Sequence, residues 1–240
     1  CLNIDKFETK DYSFFQEVIA ITKPVGGSAV LSELSEKLYI NTVYDMMVHE
    51  GVEQVSIRKI AKVLGVSSTS MYRYFDSLEH LMIYASLRWL RPYLKDLSDL
   101  GVEELNSPQG YFYMWERFSI YCYANPQIFN NIFFVKHSYS LEPIFKKYYS
   151  MFEEDLFSLD NIKRNYLMED SLELRNMHAL KNTMRSYNLS QHILDQTNKL
   201  HIYIFKGMFK DLLDGMPCPE NYTDQLIKYL RSTSYFMHMY

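Results

Sequence analysis

The chain has 240 residues, of which 48% are apolar and 22% charged, and its formal net charge is −4. This composition fits a globular protein of one or two domains and excludes disordered, coiled-coil and collagen-like chains. The acidic total excludes nucleic-acid binding by bulk electrostatics, although a local basic patch can lie within an acidic chain. Aromatic residues are in surplus, because 21 Tyr and 15 Phe stand beside 13 Met.

The cysteines and the longest apolar segments indicate where the protein resides. Cys1, Cys122 and Cys218 are odd in number and widely spaced, so neither a disulfide framework nor a cysteine-based metal site is expected. No segment approaches the roughly 20 apolar residues of a membrane helix, and the N-terminal region lacks a signal-peptide pattern. We therefore expect a cytoplasmic protein without a membrane partner.

The spacing of apolar residues predicts an all-α fold, since glycine and proline are sparse and apolar positions recur every three or four residues. A short helix at residues 12–21 would lie in an N-terminal extension covering residues 1–30. A longer helix is predicted over residues 32–50, with Leu34, Leu38, Thr42 and Met46 on one face. Gly51 ends this helix.

Two short helices follow, and their spacing predicts a helix-turn-helix. Ser56 can cap the first helix, and Gly65 ends it after about two turns. Its apolar stripe consists of Ile57, Ile60, Ala61 and Leu64. Ser67 can cap the second helix, which runs to Phe75. Two short helices joined by a glycine-containing turn are typical of DNA-binding proteins, in which the second helix enters the major groove.

The side chains of this segment suit nucleic acid. Residues 51–75 carry four basic side chains and one acidic side chain, so the local charge is +3 within an acidic protein. The basic side chains are Arg58, Lys59, Lys62 and Arg73. The second helix can offer hydrogen-bonding groups to bases and phosphates from Ser67, Ser68, Thr69, Ser70, Tyr72, Arg73 and Tyr74.

The run from Gly51 to Phe75 resembles the DNA-binding domain of the TetR family of transcriptional regulators, and the likeness extends over residues 34–81. The matching features are an Ile-Ala pair at residues 60–61, Gly-Val-Ser at 65–67 and a Tyr-x-aromatic-Phe ending at 72–75. The resemblance implies an all-α homodimer with a three-helix DNA-binding domain, a linking fourth helix and a larger helical domain for ligand binding and dimerisation.

The resemblance also implies roles for individual residues. Phosphate contacts are expected near Ser56 and from Tyr72 and Tyr74. Base reading is expected from Ser68, Thr69 and Arg73, with Arg58 at the edge of the groove. Two residues depart from the family pattern: Leu78 stands where a lysine is common, and Thr69 replaces a small residue after the turn.

These features divide the chain into the extension at 1–30, a helix-turn-helix domain at 31–76 and a helical ligand-binding and dimerisation domain at 77–240. The linking helix at 77–100 contains Pro92, which either kinks the helix or marks the end of one. Asp76 or Ser77 caps this helix, with Glu79 able to close a capping box on Asp76. Further helices are predicted at 111–124, 126–135, 141–157, 172–187, 189–213 and 222–239.

The aromatic surplus falls in the helical domain and has two interpretations, an ordinary core or a pocket for an apolar ligand. Pockets between helices are mostly apolar, and Met and aromatic side chains adapt to varied ligands. The candidate ligand-binding residues are Tyr111, Met114, Trp115, Phe118, Cys122, Phe133, His137, Met151, His178, His201 and Phe205.

Motifs for enzymatic chemistry are missing from the sequence. His49 and Glu50 begin like a zinc-protease helix, but Glu53 occupies the position of the second histidine. The chain has no phosphate-binding glycine loop, no Gly-x-Ser-x-Gly elbow and no Cys-x-x-Cys. His192 and Asp195 lie one turn apart, but two ligands do not make a metal site. We expect no catalytic residue, no metal and no cofactor.

The sequence therefore predicts a dimeric, ligand-responsive transcriptional regulator, a repressor released by a small apolar or aromatic effector. Its partners would be a double-stranded DNA operator, a second copy of the chain and the effector. The alternative is a dimeric co-regulator of the same fold that acts through a protein partner, as the acidic total and Leu78 suggest.

Overall fold

The computed structural model describes residues 28–135, 140–157, 159–169, 171–187 and 189–234, and within these ranges the protein is helical without strands. The chain divides between Ala85 and Ser86 into two compact units. We name the described part of the first unit (28–85) the head and that of the second (86–234) the body. Within the same ranges, no helix combines the length and apolarity needed to cross a membrane. The predicted extension and its helix at 12–21 lie outside the described residues.

The head contains α1 (Ser28–Glu50), a 3-10 helix at Val52–Gln54, α2 (Ile57–Leu64), a 3-10 helix at Ser70–Arg73 and α3 (Leu78–Ser86) up to Ala85. The predicted caps of α2 are confirmed. The Ser56 side chain accepts a hydrogen bond from the Lys59 backbone N–H at 3.4 Å, and Gly65 ends the helix in the left-handed region with φ +66°. Glycine adopts this conformation without the Cβ clash that other residues meet.

The second helix of the predicted helix-turn-helix is shorter and tighter than expected. The prediction of a helix from Ser67 to Phe75 is wrong in extent, because only Ser70–Arg73 is helical and it is a 3-10 helix. The Ser67 hydroxyl lies 3.0 Å from the Thr69 hydroxyl, and the Ser67 carbonyl accepts from the Ser70 backbone N–H at 3.1 Å. Such local bonds of Ser and Thr compete with an α-helical start.

The predicted face of α1 is confirmed at Thr42 and Met46, which are both buried, and the buried surface extends beyond it to neighbouring positions. The buried apolar side chains of this helix are Tyr39, Ile40, Val43, Met46 and Met47. Leu38 is half-buried, whereas the Leu34 side chain lies outside the described residues. Aromatic packing accounts for the burial of Tyr39, since the Phe75 ring lies 6.2 Å from Tyr39 and 5.5 Å from Tyr84.

The predicted linking helix is interrupted. Helix α3 is followed by a 3-10 segment at Leu87–Leu90 and then by α4 (Arg91–Ser98), which contains Pro92 in its first turn. A proline in the first turn loses no hydrogen bond, but its ring clashes with the carbonyl four residues earlier in a regular α-helix. The preceding turn is therefore 3-10. At the start of α3, the Ser77 hydroxyl accepts from the His80 backbone N–H at 3.0 Å, so Ser77 is the cap.

The remaining helices of the body are α5 (Val102–Leu105), α6 (Pro108–Ala124), α7 (Pro126–Phe133), α8 (Leu141–Met151), α9 (Asn161–Leu167), α10 (Leu172–Thr183), α11 (Gln191–Leu213) and α12 (Tyr222–Ser232). The sequence did not predict α5 or α9. Helix α8 ends six residues early, where Phe152 leaves helical geometry and a 3-10 turn reaches Phe157 at φ +46°. Helix α10 also ends early, before a 3-10 turn at Arg185–Tyr187.

Helix α6 lies at the centre of the body, because it packs against α4, α5, α7, α10, α11 and α12. Its buried stripe includes Tyr111, Met114, Trp115, Phe118 and Cys122, as the sequence pattern indicated. Helix α5 approaches the start of α6 so closely that a Cβ on Gly110 would lie 2.0 Å from the Glu104 carbonyl oxygen. Only glycine, which has no Cβ, permits this close approach of α5 to α6.

Candidate nucleic-acid interface and candidate effector cavity

The tip of the head presents a continuous set of polar side chains around the 3-10 helix. Ser67, Ser68, Thr69 and Arg73 are exposed, and the Tyr72 side chain is 54% exposed despite its size. A large aromatic residue held in solvent beside an arginine suits phosphate and base contacts better than it suits core packing. These predicted DNA-binding residues therefore share one exposed surface.

Two predicted DNA-binding residues have contacts within the head. The Ser70 hydroxyl accepts a hydrogen bond from the Tyr39 hydroxyl at 3.1 Å and donates to the Ser67 carbonyl. Tyr74 is half-buried, and its ring centroid lies 5.8 Å from that of Tyr39. Their side chains therefore hold the 3-10 helix against α1.

The basic side chains of α2 differ in their exposure and in their ion pairing. Arg58 and Lys62 are exposed, whereas the Lys59 ammonium lies 3.0 Å from the Glu50 carboxylate and 3.4 Å from the Gln54 side-chain oxygen. The ion pair offsets one of the four positive charges of residues 51–75. Ser56 is half-buried and caps α2, so its hydroxyl already holds one backbone N–H.

The body contains a cavity of about 70 Å³ between α4, α6, α9 and α10. Its wall is mostly apolar and aromatic, with one charged side chain and one amide among the described residues. The lining residues are Leu90, Tyr93, Leu97, Tyr111, Met114, Trp115, Phe118, Leu167, Leu172, Arg175, Asn176 and Ala179.

One wall of the cavity belongs to a buried hydrogen-bond network. The Asn176 side-chain oxygen accepts from Trp115 Nε1 at 2.9 Å and also lies 2.9 Å from the Tyr111 hydroxyl. The Asn176 amide donates to the Asn198 side-chain oxygen at 2.7 Å. The Tyr111 hydroxyl also lies 2.7 Å from His201 Nδ1. Every member has a partner, as buried polar groups require.

The predicted ligand-binding residues separate into three groups. Tyr111, Met114, Trp115 and Phe118 line the cavity. Three others contact lining residues: Phe133 faces Arg175, His201 bonds Tyr111, and the Phe205 ring lies 5.3 Å from Trp115. The rest lie apart or outside the described residues. Cys122 and Met151 are buried elsewhere, His178 is half-buried beside Glu169 at 3.2 Å, and His137 lies outside the described residues.

Comparison with known families addresses the head. The family model of bacterial regulatory proteins of the tetR family matches residues 44–85. The head carries a TetR-family helix-turn-helix domain. The presence of this domain supports the assignment of the protein as a DNA-binding transcriptional regulator. No curated protein matches the chain.

The structure shows where the two departures from the family pattern, Leu78 and Thr69, lie. In the TetR domain, Leu78 is the first residue of α3 and is half-buried, so it offers no charge to a phosphate there. Thr69 immediately precedes the 3-10 helix, and its hydroxyl is bonded to that of Ser67. Thr69 itself belongs to the exposed polar surface.

Sequence reasoning missed the polar residues of the cavity, Arg175 and Asn176. A signal was present, because α10 carries buried Leu172, Ala179 and Leu180 on the face that also holds Asn176. An amide within an apolar helical stripe requires buried partners. That pattern could have directed attention from the three histidines to this helix.

Proposed function

We propose that the protein is a ligand-responsive, dimeric, DNA-binding repressor that a small effector releases from its operator. The observation that carries this proposal is the TetR domain at residues 44–85, with Tyr72 and Arg73 exposed at its tip. Repression, ligand response and dimerisation are typical of this family. The domain boundary at 76–77 and the assignment of residues 77–240 to ligand binding and dimerisation are part of the same proposal.

The cavity of the body supports an effector. It is lined by aromatic and aliphatic side chains and has few polar groups, which is the usual make-up of a small-molecule site. A cavity that binds benzene measures about 150 Å³, so a ring-sized effector must displace part of this wall. Binding is then coupled to a change of structure, as a ligand response requires.

The outer surface of the last two helices supports dimerisation. Helix α11 exposes Tyr203 to 67% and Leu200 to 40%, and α12 exposes Tyr229 to 46%. Gly207 lies one turn beyond Tyr203, and no atom stands within 4 Å of the place where its Cβ would be. Large apolar side chains and an open glycine on one helix permit close approach of a second copy.

The proposal is tested by sequencing DNA that crosslinks to the protein in cells and then using the enriched fragment in gel shifts. A dimer should enrich a palindromic site whose half-sites are about 34–36 Å apart or a multiple of that distance. Affinity should fall steeply with salt because phosphate contacts release counterions. Random enrichment, together with no retarded species at low salt, would contradict the proposal.

Two observations favour a second candidate, a co-regulator that acts through a protein partner. Leu78 removes a common phosphate contact, and Glu50 pairs with Lys59. This candidate predicts that Leu78→Lys leaves DNA retention undetectable and that a defined protein partner co-purifies with the wild-type chain. An increase in DNA affinity in Leu78→Lys would favour the repressor.

A further inference from the structure

The cavity contains one charged side chain among its described lining residues, Arg175 of α10. Aromatic rings hold its guanidinium: the central carbon lies 4.2 Å from the Phe145 ring centroid and 5.0 Å from that of Phe133. Its Nε donates to the Glu169 carbonyl at 3.1 Å. Stacking and a backbone hydrogen bond together fix the plane of this group at the wall of an apolar space.

The neighbouring polar groups have other contacts. The Asn176 oxygen lies 2.9 Å from both the Tyr111 hydroxyl and Trp115 Nε1, and its amide donates to Asn198. The Glu169 carboxylate lies 3.2 Å from His178 Nδ1. Arg175 is the one charged side chain among the described lining residues, so it is the group in this wall whose charge can attract an anionic ligand.

A guanidinium carries five N–H donors in a planar fork that matches a carboxylate, and it can hold more than one acceptor at once. The rest of the wall suits an apolar body, because Leu90, Leu97, Met114, Trp115 and Phe118 line it. We propose that the effector is a small carboxylic acid with a single-ring or short aliphatic body, whose carboxylate binds Arg175. This inference rests on the proposed ligand response and names its chemistry.

The size of the cavity sets the upper limit on the ligand body. About 70 Å³ is half the volume of a cavity that binds benzene, which measures about 150 Å³, so a ring enters only if a side chain moves. Met114 is the most adaptable lining residue, because an unbranched thioether repacks readily. Long-chain or multi-ring acids would need far more space.

The test compares benzoate with benzamide, which has nearly the same shape but no charge, at pH 7 and moderate salt. Calorimetry gives the affinity, and tryptophan fluorescence, to which Trp115 of the cavity wall contributes together with Trp89, reports on changes at the wall. We expect the wild-type protein to bind benzoate at least about tenfold more tightly than benzamide, since a hydrogen bond to a charged group is worth this much. Arg175→Met should abolish the preference, and Arg175→Lys should retain part of it.

Lys181→Met is the matched control, because Lys181 is an exposed cation on the same helix and does not line the cavity. It should keep the preference for benzoate. Circular dichroism verifies that each variant is folded, and the wild-type comparison of the two ligands requires no variant. Equal affinity for both ligands, binding of neither, or a preference that survives in Arg175→Met would overturn the inference.

Gel shifts separate this inference from the proposed function. If benzoate binds through Arg175 but leaves the operator complex intact, the anion site stands and the release mechanism fails. If benzamide binds equally well and releases DNA, the release mechanism stands and the anion site fails.

Discussion

The Tyr111 hydroxyl and His201 Nδ1 lie 2.7 Å apart in the interior of the body, where both side chains are completely buried. The other ring nitrogen, Nε2, lies 3.1 Å from the Leu230 carbonyl, which can only accept a hydrogen bond. Nε2 therefore carries the proton of the neutral ring, and the Nδ1 lone pair shares the single Tyr111 O–H proton with the Asn176 side-chain oxygen. This relationship joins α6, α11 and α12 through one uncharged imidazole.

Burial of this imidazole should make stability depend on pH. Desolvation lowers the pKa of His201 from 6.5 to about 4, so the unfolded chain takes up a proton at a higher pH than the folded protein does. The free energy of unfolding should therefore decrease as pH falls from 6.5 to 4, by up to about 3 kcal/mol. Urea denaturation at half-unit pH steps measures this slope.

The His201→Gln variant should show a smaller loss of stability over the same pH interval. His192→Gln is the control, because His192 is exposed on the same helix. If His201→Gln and the wild-type protein lose stability in parallel, His201 is not the source of the pH dependence.

Truncation at the tip of the head should weaken DNA binding. Arg73→Ala removes an exposed cation from the polar surface and should reduce operator affinity about tenfold, with a shallower dependence on salt. Gel shifts over a series of salt concentrations measure both effects. Arg185→Ala, an exposed arginine of the body, should leave both unchanged; equal behaviour of the two variants would exclude a role for Arg73.

The corner between α5 and α6 should not tolerate a side chain. Gly110→Ala places a Cβ 2.0 Å from the Glu104 carbonyl oxygen, and two packed backbone segments must separate to admit it. We expect a loss of about 3 kcal/mol in the free energy of unfolding. Gly101→Ala, at a position with open space, should change it little. Denaturant titration of both variants provides the comparison.

The exposed face of α11 should control the oligomeric state. Tyr203→Asp introduces a charge where we propose that a second copy packs, so the dimer should dissociate at micromolar concentration. Val102→Asp is the control, because it adds the same charge to another exposed apolar position, in α5. Sedimentation measures both variants. A dimer that withstands Tyr203→Asp would place the interface elsewhere.

Local rules of sequence predicted much of the fold. Ser56 and Gly65 bound α2 because an N-cap hydroxyl and a left-handed glycine act through neighbouring residues alone. The 3-10 character of Ser70–Arg73 was not predicted, because it depends on competing bonds among Ser67, Thr69 and Ser70. Helices α5 and α9 are short, and such helices depend on tertiary packing more than on periodicity.

The candidate sites were predicted unevenly for a similar reason. The polar residues at the tip of the head follow one another in sequence, so they could be located without a structure. The cavity brings together α4, α6, α9 and α10, and no sequence pattern says which faces of distant helices meet. Tyr111 and Trp115 belong to the aromatic stripe that the sequence pattern of α6 indicated, and this stripe lines the cavity. Arg175 was missed because its neighbours Phe133 and Phe145 come from other helices.

The hydrogen bond from the Tyr39 hydroxyl to the Ser70 hydroxyl keeps the tip of the head ordered before DNA binds. Four residues of 3-10 helix are too short to hold their own conformation, and here the buried face of α1 holds them through Tyr39 and Tyr74. The tip is thereby preorganised, so its ordering entropy is lost during folding and not during association. Operator binding should then show a heat-capacity change set by the contact surface alone, without a contribution from coupled folding.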